Sequence, residues 1–339
     1  MRCLVVGGTG FLGGAIADTL VAEGHSVATL TRGETDRELA AGLKIIHADR
    51  YGDLSALKGQ TFDWVFDSCA YSPDAVETLL TAISGSISRY VMISSISAYG
   101  EFTQRNLDET AAVPDATAED FEVAASLSPE DRTSAFAYGA SYGPLKRACE
   151  IKAEEMLGDR ATALRVGLLV GAGDYTDRLT WWVRRIDEAI GARRKVPAPA
   201  PKNRPLQLID VRDVAEFALR CAENEMPGIW NVTSPPQSFS DVLNAISNVS
   251  GSSAELVWVE EAAFVDADIT PWVDVPMMAP INPAFRYFLE VSTTKARTAG
   301  LTCRPIEDTL TRLLEWDRGR RHIALMGGMT AQQEALLLG

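Results

Sequence analysis

The segment Gly7-Gly8-Thr9-Gly10-Phe11-Leu12-Gly13 restricts the possible fold of this chain more than any other. It stands between a short apolar run, Cys3-Leu4-Val5-Val6, and a helical pattern over residues 11–23. Such a run is what a strand buried on both faces requires. Glycines at 7, 10 and 13 then meet three needs: a tight turn, close approach of the backbone to a pyrophosphate, and close packing of helix on strand. The N–H groups that open the helix face the phosphates. A glycine triplet alone also reads as a structural turn. Between strand and helix it reads as a dinucleotide loop, with Gly7, Thr9, Gly10, Phe11, Leu12 and Gly13 as the contacting residues.

Short apolar runs recur at 27–30, 45–46, 64–66, 90–93 and 162–166, separated by segments long enough for crossover connections. This alternation predicts an α/β fold with a Rossmann-type, doubly wound parallel sheet. After about residue 171 the texture changes to Trp181-Trp182, a Pro-rich stretch over 196–205, and helical patterns at 213–223, 240–249 and 306–318. The expected organisation is a dinucleotide-binding domain over 1–170, to which 206–224 returns. A smaller C-terminal substrate-binding lobe over 171–205 and 225–325 follows, then a loosely held tail, 326–339, released by Gly327-Gly328-Met329.

At 339 residues and 46% hydrophobic content, the chain can bury such a core without staples. A net charge of −14 argues against a nucleic-acid partner, because phosphates are held by Lys and Arg. The five cysteines form no C-x-x-C pair, no eighteen-residue apolar run exists, and the first residues do not read as a signal peptide. A reducing cytoplasmic location without a membrane span is expected. The three histidines, His25, His47 and His322, lack metal-ligand spacing, so no metal is expected. No Gly-x-Ser-x-Gly nucleophile elbow occurs.

Tyr142-Gly143-Pro144-Leu145-Lys146 is a Tyr-x-x-x-Lys pair, and residues four apart share one face of a helix. A tyrosine, with a pKa of about 10, becomes a useful acid and base if a nearby ammonium favours the phenolate. The same spacing also arises on solvated helices.

The Gly-x-x-Gly-x-x-Gly spacing, the Tyr142/Lys146 pair and the loop Ser94-Ser95-Ile96-Ser97-Ala98-Tyr99-Gly100 together resemble the extended short-chain dehydrogenase/reductases, which include nucleotide-sugar epimerases and dehydratases. The resemblance covers roughly the first half of the chain. It implies a nicotinamide cofactor and a catalytic set of Ser95, Tyr142 and Lys146, with Lys146 also holding the nicotinamide ribose. Ser94 and Ser97 then read as turn hydrogen-bonders and Tyr138 as the less suitable base. Where NAD-preferring members carry an acid after the second strand, this chain has Thr31-Arg32-Gly33, and Arg32 can take a 2′-phosphate. NADP is therefore expected, with NAD as the alternative. Asp49 and Arg50 match the adenine-side position, while Cys69, Ala70 and Tyr71 match the stretch beside the nicotinamide ribose.

The dehydratases' Asp-Glu pair is replaced by Ile96-Ser97, and the asparagine that nucleotide-sugar enzymes use for the diphosphate corresponds to Leu168. The reading is thus a reductase or dehydrogenase acting on a small carbonyl or alcohol. The alternatives are an NAD-dependent sugar epimerase and a non-catalytic, cofactor-sensing or RNA-associated protein of the same fold. Tyr71, Tyr99 and Trp181, with Trp182 and Trp272, suggest an apolar or aromatic substrate, unless the tryptophans are core. The acidic stretch 108–132 reads as a surface excursion or a lid. Leu145, Ala148, Cys149 and Met156 permit a homodimer through the Tyr142/Lys146 helix.

Overall fold

The computed structural model describes residues 1–33, 40–83, 85, 87–128, 130–189 and 194–339. Strand β1 (Arg2–Val6) has Cys3, Leu4, Val5 and Val6 wholly buried, which explains the uninterrupted apolar run. It leads through the glycine loop into α1 (Phe11–Ala22). Strands β2 (Ser26–Thr31), β3 (Lys44–His47), β4 (Trp64–Asp67), β5 (Arg89–Ser95) and β6 (Ala161–Val166) follow, interleaved with α2 (Pro73–Ala82), α3 (Ala118–Ser126) and α4 (Tyr142–Leu157).

All neighbours in the sheet are parallel, in the order Gly228–Val232, β6, β5, β4, β1, β2, β3. Strand order reverses between β1 and β4, and the crevice beyond the carboxyl ends there is where doubly wound sheets bind ligands. One face buries Ile16 and Leu20 of α1 with Val214 and Phe217 of a helix over Val211–Glu223. The other buries Val76 and Leu79 of α2 with Cys149 and Ala153 of α4.

Three features depart from expectation. The seventh strand, Gly228–Val232, lacks an apolar run because its Asn231 is wholly buried and hydrogen-bonded to the Leu107 and Ser292 carbonyls. Leu208–Asp210, just before the Val211–Glu223 helix, pairs with Leu168–Val170 and not with the central sheet. The tail is docked. Its helix, Ala331–Leu338, begins with a Thr330/Gln333 capping box, and Glu334 accepts two hydrogen bonds from Arg185, at 2.6 and 2.7 Å.

A further apolar cluster collects Trp181, Trp182, Ile186, Val196, Phe239, Phe264 and Leu313. On α4, Leu145 and Cys149 are wholly buried within the chain, so they do not supply an exposed face for a second copy. In the acidic stretch, the Asp108 carbonyl accepts from Tyr99 Oη, Glu109 accepts from the Asn231 N–H, α3 buries no residue, and the Arg132 guanidinium lies 6.0 Å from the Tyr51 ring centroid. Among the described residues, no helix is long and apolar enough to cross a membrane, and no His/Cys/Asp/Glu group could hold a metal.

Candidate active site

A cleft of about 1440 Å³ runs along the carboxyl ends of the strands and is floored by the glycine loop. Gly7 has φ +79°, in the left-handed region that a side chain resists. Gly13 is required for close approach, since a Cβ there would come within 2.2 Å of the Gly7 carbonyl oxygen and 2.6 Å of Ser68 Oγ. The backbone N–H groups of Phe11, Leu12 and Gly13, in the first turn of α1, have no partner within the helix. Thr9 and Thr31 hydroxyls meet at 3.0 Å and tie the loop to the end of β2. Thr31, Arg32 and Asp49 line the same end of the cleft. A small-residue cradle, a helix N-terminus and this volume fit a dinucleotide with space for a small second molecule.

Of the residues expected at the cofactor, Arg50 lines the cleft but engages Asp67, and Ala70 does not line it. The Arg50 guanidinium is directed at Asp67, with which it makes a buried ion pair, and it also donates to the Ala75 carbonyl at 3.0 Å. Asp67 accepts from Tyr90 Oη at 2.7 Å and from the Cys69 N–H at 3.2 Å. Burial alone would raise the Asp67 pKa; the Arg50 charge and hydrogen bonds outweigh it and hold the carboxyl below its ordinary value. Ala70 is wholly buried, and its carbonyl accepts from Lys146 Nζ at 2.7 Å. Cys69 and Tyr71 do line the cleft.

The ends of β5 and α4 bring Ser95, Tyr142 and Lys146 to one wall of this cleft. Gly143 makes the approach possible, because a Cβ there would sit 2.2 Å from the Ser97 carbonyl oxygen. Ser95 Oγ accepts from the Ser97 N–H at 3.1 Å. Ser94 turns the other way and donates to Glu150 Oε1 at 2.6 Å, so Ser95 is the serine of this loop beside Tyr142. Lys146 Nζ donates to the Ala70 and Ile93 carbonyls at 2.7 and 2.8 Å and lies 4.6 Å from the Tyr71 ring centroid and 5.7 Å from that of Tyr142.

Burial pushes the Tyr142 phenol up to about 12, opposed by a hydrogen bond with Ser95 and by the positive charge of Arg178. Two cations thus stand near Tyr142: Arg178, whose charge opposes the rise, and Lys146, whose own pKa burial lowers.

Residues 3–79 match the NAD dependent epimerase/dehydratase family. The match spans the glycine loop, β1 to β4 and most of α2, so the recognition made from the glycine spacing holds for this stretch. No curated protein matches the chain. Among solved structures, a UDP-N-acetylglucosamine 4-epimerase from Methanobrevibacter ruminantium M1, in complex with UDP-N-acetylmuramic acid, is 17% identical with TM-score 0.67. That alignment covers 94% of this chain and 98% of the other. A UDP-glucuronic acid 4-epimerase from Bacillus cereus, in complex with NAD, is 17% identical with TM-score 0.65, covering 94% and 99%. A UDP-glucose 4-epimerase from Thermotoga maritima, with UDP-glucose, is 16% identical with TM-score 0.64, covering 95% and 100%. These likenesses show the fold.

The aromatic residues divide. Tyr71 and Trp272 line the cleft, whereas Tyr99, Trp181 and Trp182 do not. Tyr99 is buried under Arg165 and donates to Asn231 Oδ1 at 3.0 Å. Trp181 packs on Trp182 at 4.7 Å between ring centroids and against Gly328, and Trp182 Nε1 donates to the Pro276 carbonyl at 2.8 Å. These three are core. None of residues 108–132 lines the cleft among the described residues, so the lid reading finds no support in this geometry. Sequence reasoning missed Phe136, Asp174 and Arg178, all cleft-lining. No motif marks them; Arg178 falls in the first turn of a helix over Arg178–Asp187.

Proposed function

We propose that this chain is a nicotinamide-dependent oxidoreductase that moves a hydride between NADP and a small carbonyl or alcohol. The observation that carries the reading is the convergence of Ser95, Tyr142 and Lys146 on the cleft that the glycine loop floors. The loop, the first turn of α1, Thr31, Arg32 and Asp49 would hold the dinucleotide, with Arg32 meeting a 2′-phosphate. When bound, the nicotinamide supplies or accepts the hydride.

The protein's own work is proton transfer and placement. Ser95 Oγ polarises the substrate oxygen, and Tyr142 Oη, protonated at neutral pH by virtue of its burial, donates the proton as a carbonyl becomes an alcohol. Lys146, anchored by the Ala70 and Ile93 carbonyls, fixes the wall between β4, β5 and α4 and presents its remaining donor to the cofactor side. Ile96 and Ser97 supply no acid or base for eliminating water, and Leu168 offers no polar group to a sugar-nucleotide diphosphate.

A second reading, epimerisation with no net redox, is favoured by the family match over 3–79. One experiment separates the two. Full-length protein is assayed against a panel of carbonyl compounds with NADPH or NADH, and against UDP-hexoses for epimer formation. The oxidoreductase reading expects net NADPH consumption, reduced about 10²–10⁴-fold by Tyr142→Phe with nucleotide binding intact. Epimer formation without nucleotide consumption would establish the second reading, and turnover unaffected by Tyr142→Phe would remove Tyr142 from the chemistry.

A further inference from the structure

Arg178 lines the cleft with Tyr142, and its charge acts on the Tyr142 phenol. Its guanidinium carbon lies 5.0 Å from the Trp272 ring centroid and 5.6 Å from that of Phe136. Among the described residues, no hydrogen bond or ion pair engages its N–H groups. The Asp174 carboxylate favours its charge without an ion pair between them. Asp174 is buried; its Oδ1 accepts from the Thr176 N–H and hydroxyl at 2.8 and 2.7 Å, and its Oδ2 has no partner.

The half-buried guanidinium lines the cleft, where its N–H donors are open to a ligand. Aromatic contacts hold the cation by its planar body, while the fork of N–H donors matches the two oxygens of a carboxylate. The neighbouring Asp174 carboxylate limits what can bind, because it repels a dianion more than a monoanion. We propose that the substrate carries a carboxylate, seated on the Arg178 guanidinium between the aromatic walls of Phe136 and Trp272, with its reacting carbon at Tyr142 and Ser95. This rests on the oxidoreductase reading and narrows it to hydroxy or oxo acids. It also adds a charged anchor to the apolar or aromatic substrate expected from the aromatic content.

The test uses benzoate, benzamide and inorganic phosphate as probes, titrated into the full chain with and without NADPH and followed by ligand-observed NMR. Benzoate should bind the wild type about tenfold or more tightly than benzamide, the difference expected when a charge-assisted pair replaces a neutral one. Arg178→Gln should abolish that preference, and Arg178→Lys should keep part of it, with melting temperature and NADPH affinity unchanged in both. Equal benzoate binding by wild type and Arg178→Gln, no preference over benzamide, or displacement of benzoate by phosphate would overturn the proposal. Should Arg178→Gln not fold, the wild-type contrast and Arg178→Lys decide. Benzoate held through Arg178 in a protein that binds no nicotinamide nucleotide would instead sink the oxidoreductase reading and leave the anion site standing.

Discussion

Replacing Arg50 by Met separates a structural from a cofactor-binding role for this residue. Arg50 and Asp67 are 4% and 0% exposed, so removing the cation leaves a carboxylate in a dry interior with only the Tyr90 hydroxyl and the Cys69 N–H as donors. Breaking one partner of a buried pair costs about 3–5 kcal/mol. An unfolding entropy of about 2.1 cal/mol/K per residue over 339 residues amounts to about 0.7 kcal/mol/K, so the melting temperature should fall by about 4–7 °C.

The pH dependence has a definite sign. In the wild type the folded Asp67 pKa lies below its unfolded value, giving stability that is present above about pH 4 and lost as pH falls through the folded pKa. Without Arg50, burial dominates and raises the folded pKa. Stability is then greatest below about pH 4 and falls as pH rises through the new value, so the deficit of Arg50→Met should be smaller at pH 5 than at pH 8. Thermal melts at the two pH values, with Arg50→Met/Asp67→Asn as the partner variant, measure this; the double variant should recover most of the loss. An unchanged melting temperature combined with loss of nucleotide affinity would refute the reasoning and return Arg50 to the cofactor.

Two further predictions follow from the site. Gly143→Ala places a methyl group 2.2 Å from the Ser97 carbonyl oxygen, so α4 must move away from Ser95; overpacking of this kind costs about 1–3 kcal/mol, and turnover should fall at least tenfold while nucleotide affinity changes little. Unchanged turnover would show that the Ser95–Tyr142 geometry is not critical. Burial raises the Asp174 pKa to about 6, above its unfolded value of about 4, so this carboxyl favours folding at low pH and loses that contribution as pH rises through 6. The melting temperature of Asp174→Asn relative to wild type should therefore climb between pH 4 and pH 7, and a flat difference would contradict the assignment.

Local patterns made part of this molecule legible in the sequence. The glycine loop declared itself because a positive φ at Gly7 and the contact at Gly13 exclude side chains, and Tyr142 and Lys146 because a helix brings positions four apart together. What depended on partners distant in sequence was not legible. Arg50 adjoins Asp49, yet its guanidinium pairs with Asp67, 17 positions on. Gly328 looked like a hinge, but it is small because Trp181 leaves no room for a Cβ, which would come within 1.9 Å of the indole. The same packing takes Trp181 out of the pocket and fixes the tail. Arg178 had no signal of its own, since an arginine in a first helical turn is ordinarily solvated; Phe136 and Trp272 become its neighbours only in the folded chain.

The central claim is tested most directly by titrating NADPH and NADH into the purified protein, following nicotinamide fluorescence, in parallel with Arg32→Ala. The account predicts tighter binding of NADPH, with a preference of about 10–100-fold that Arg32→Ala abolishes, as expected for one charge-assisted phosphate contact. Binding of neither nucleotide would contradict it.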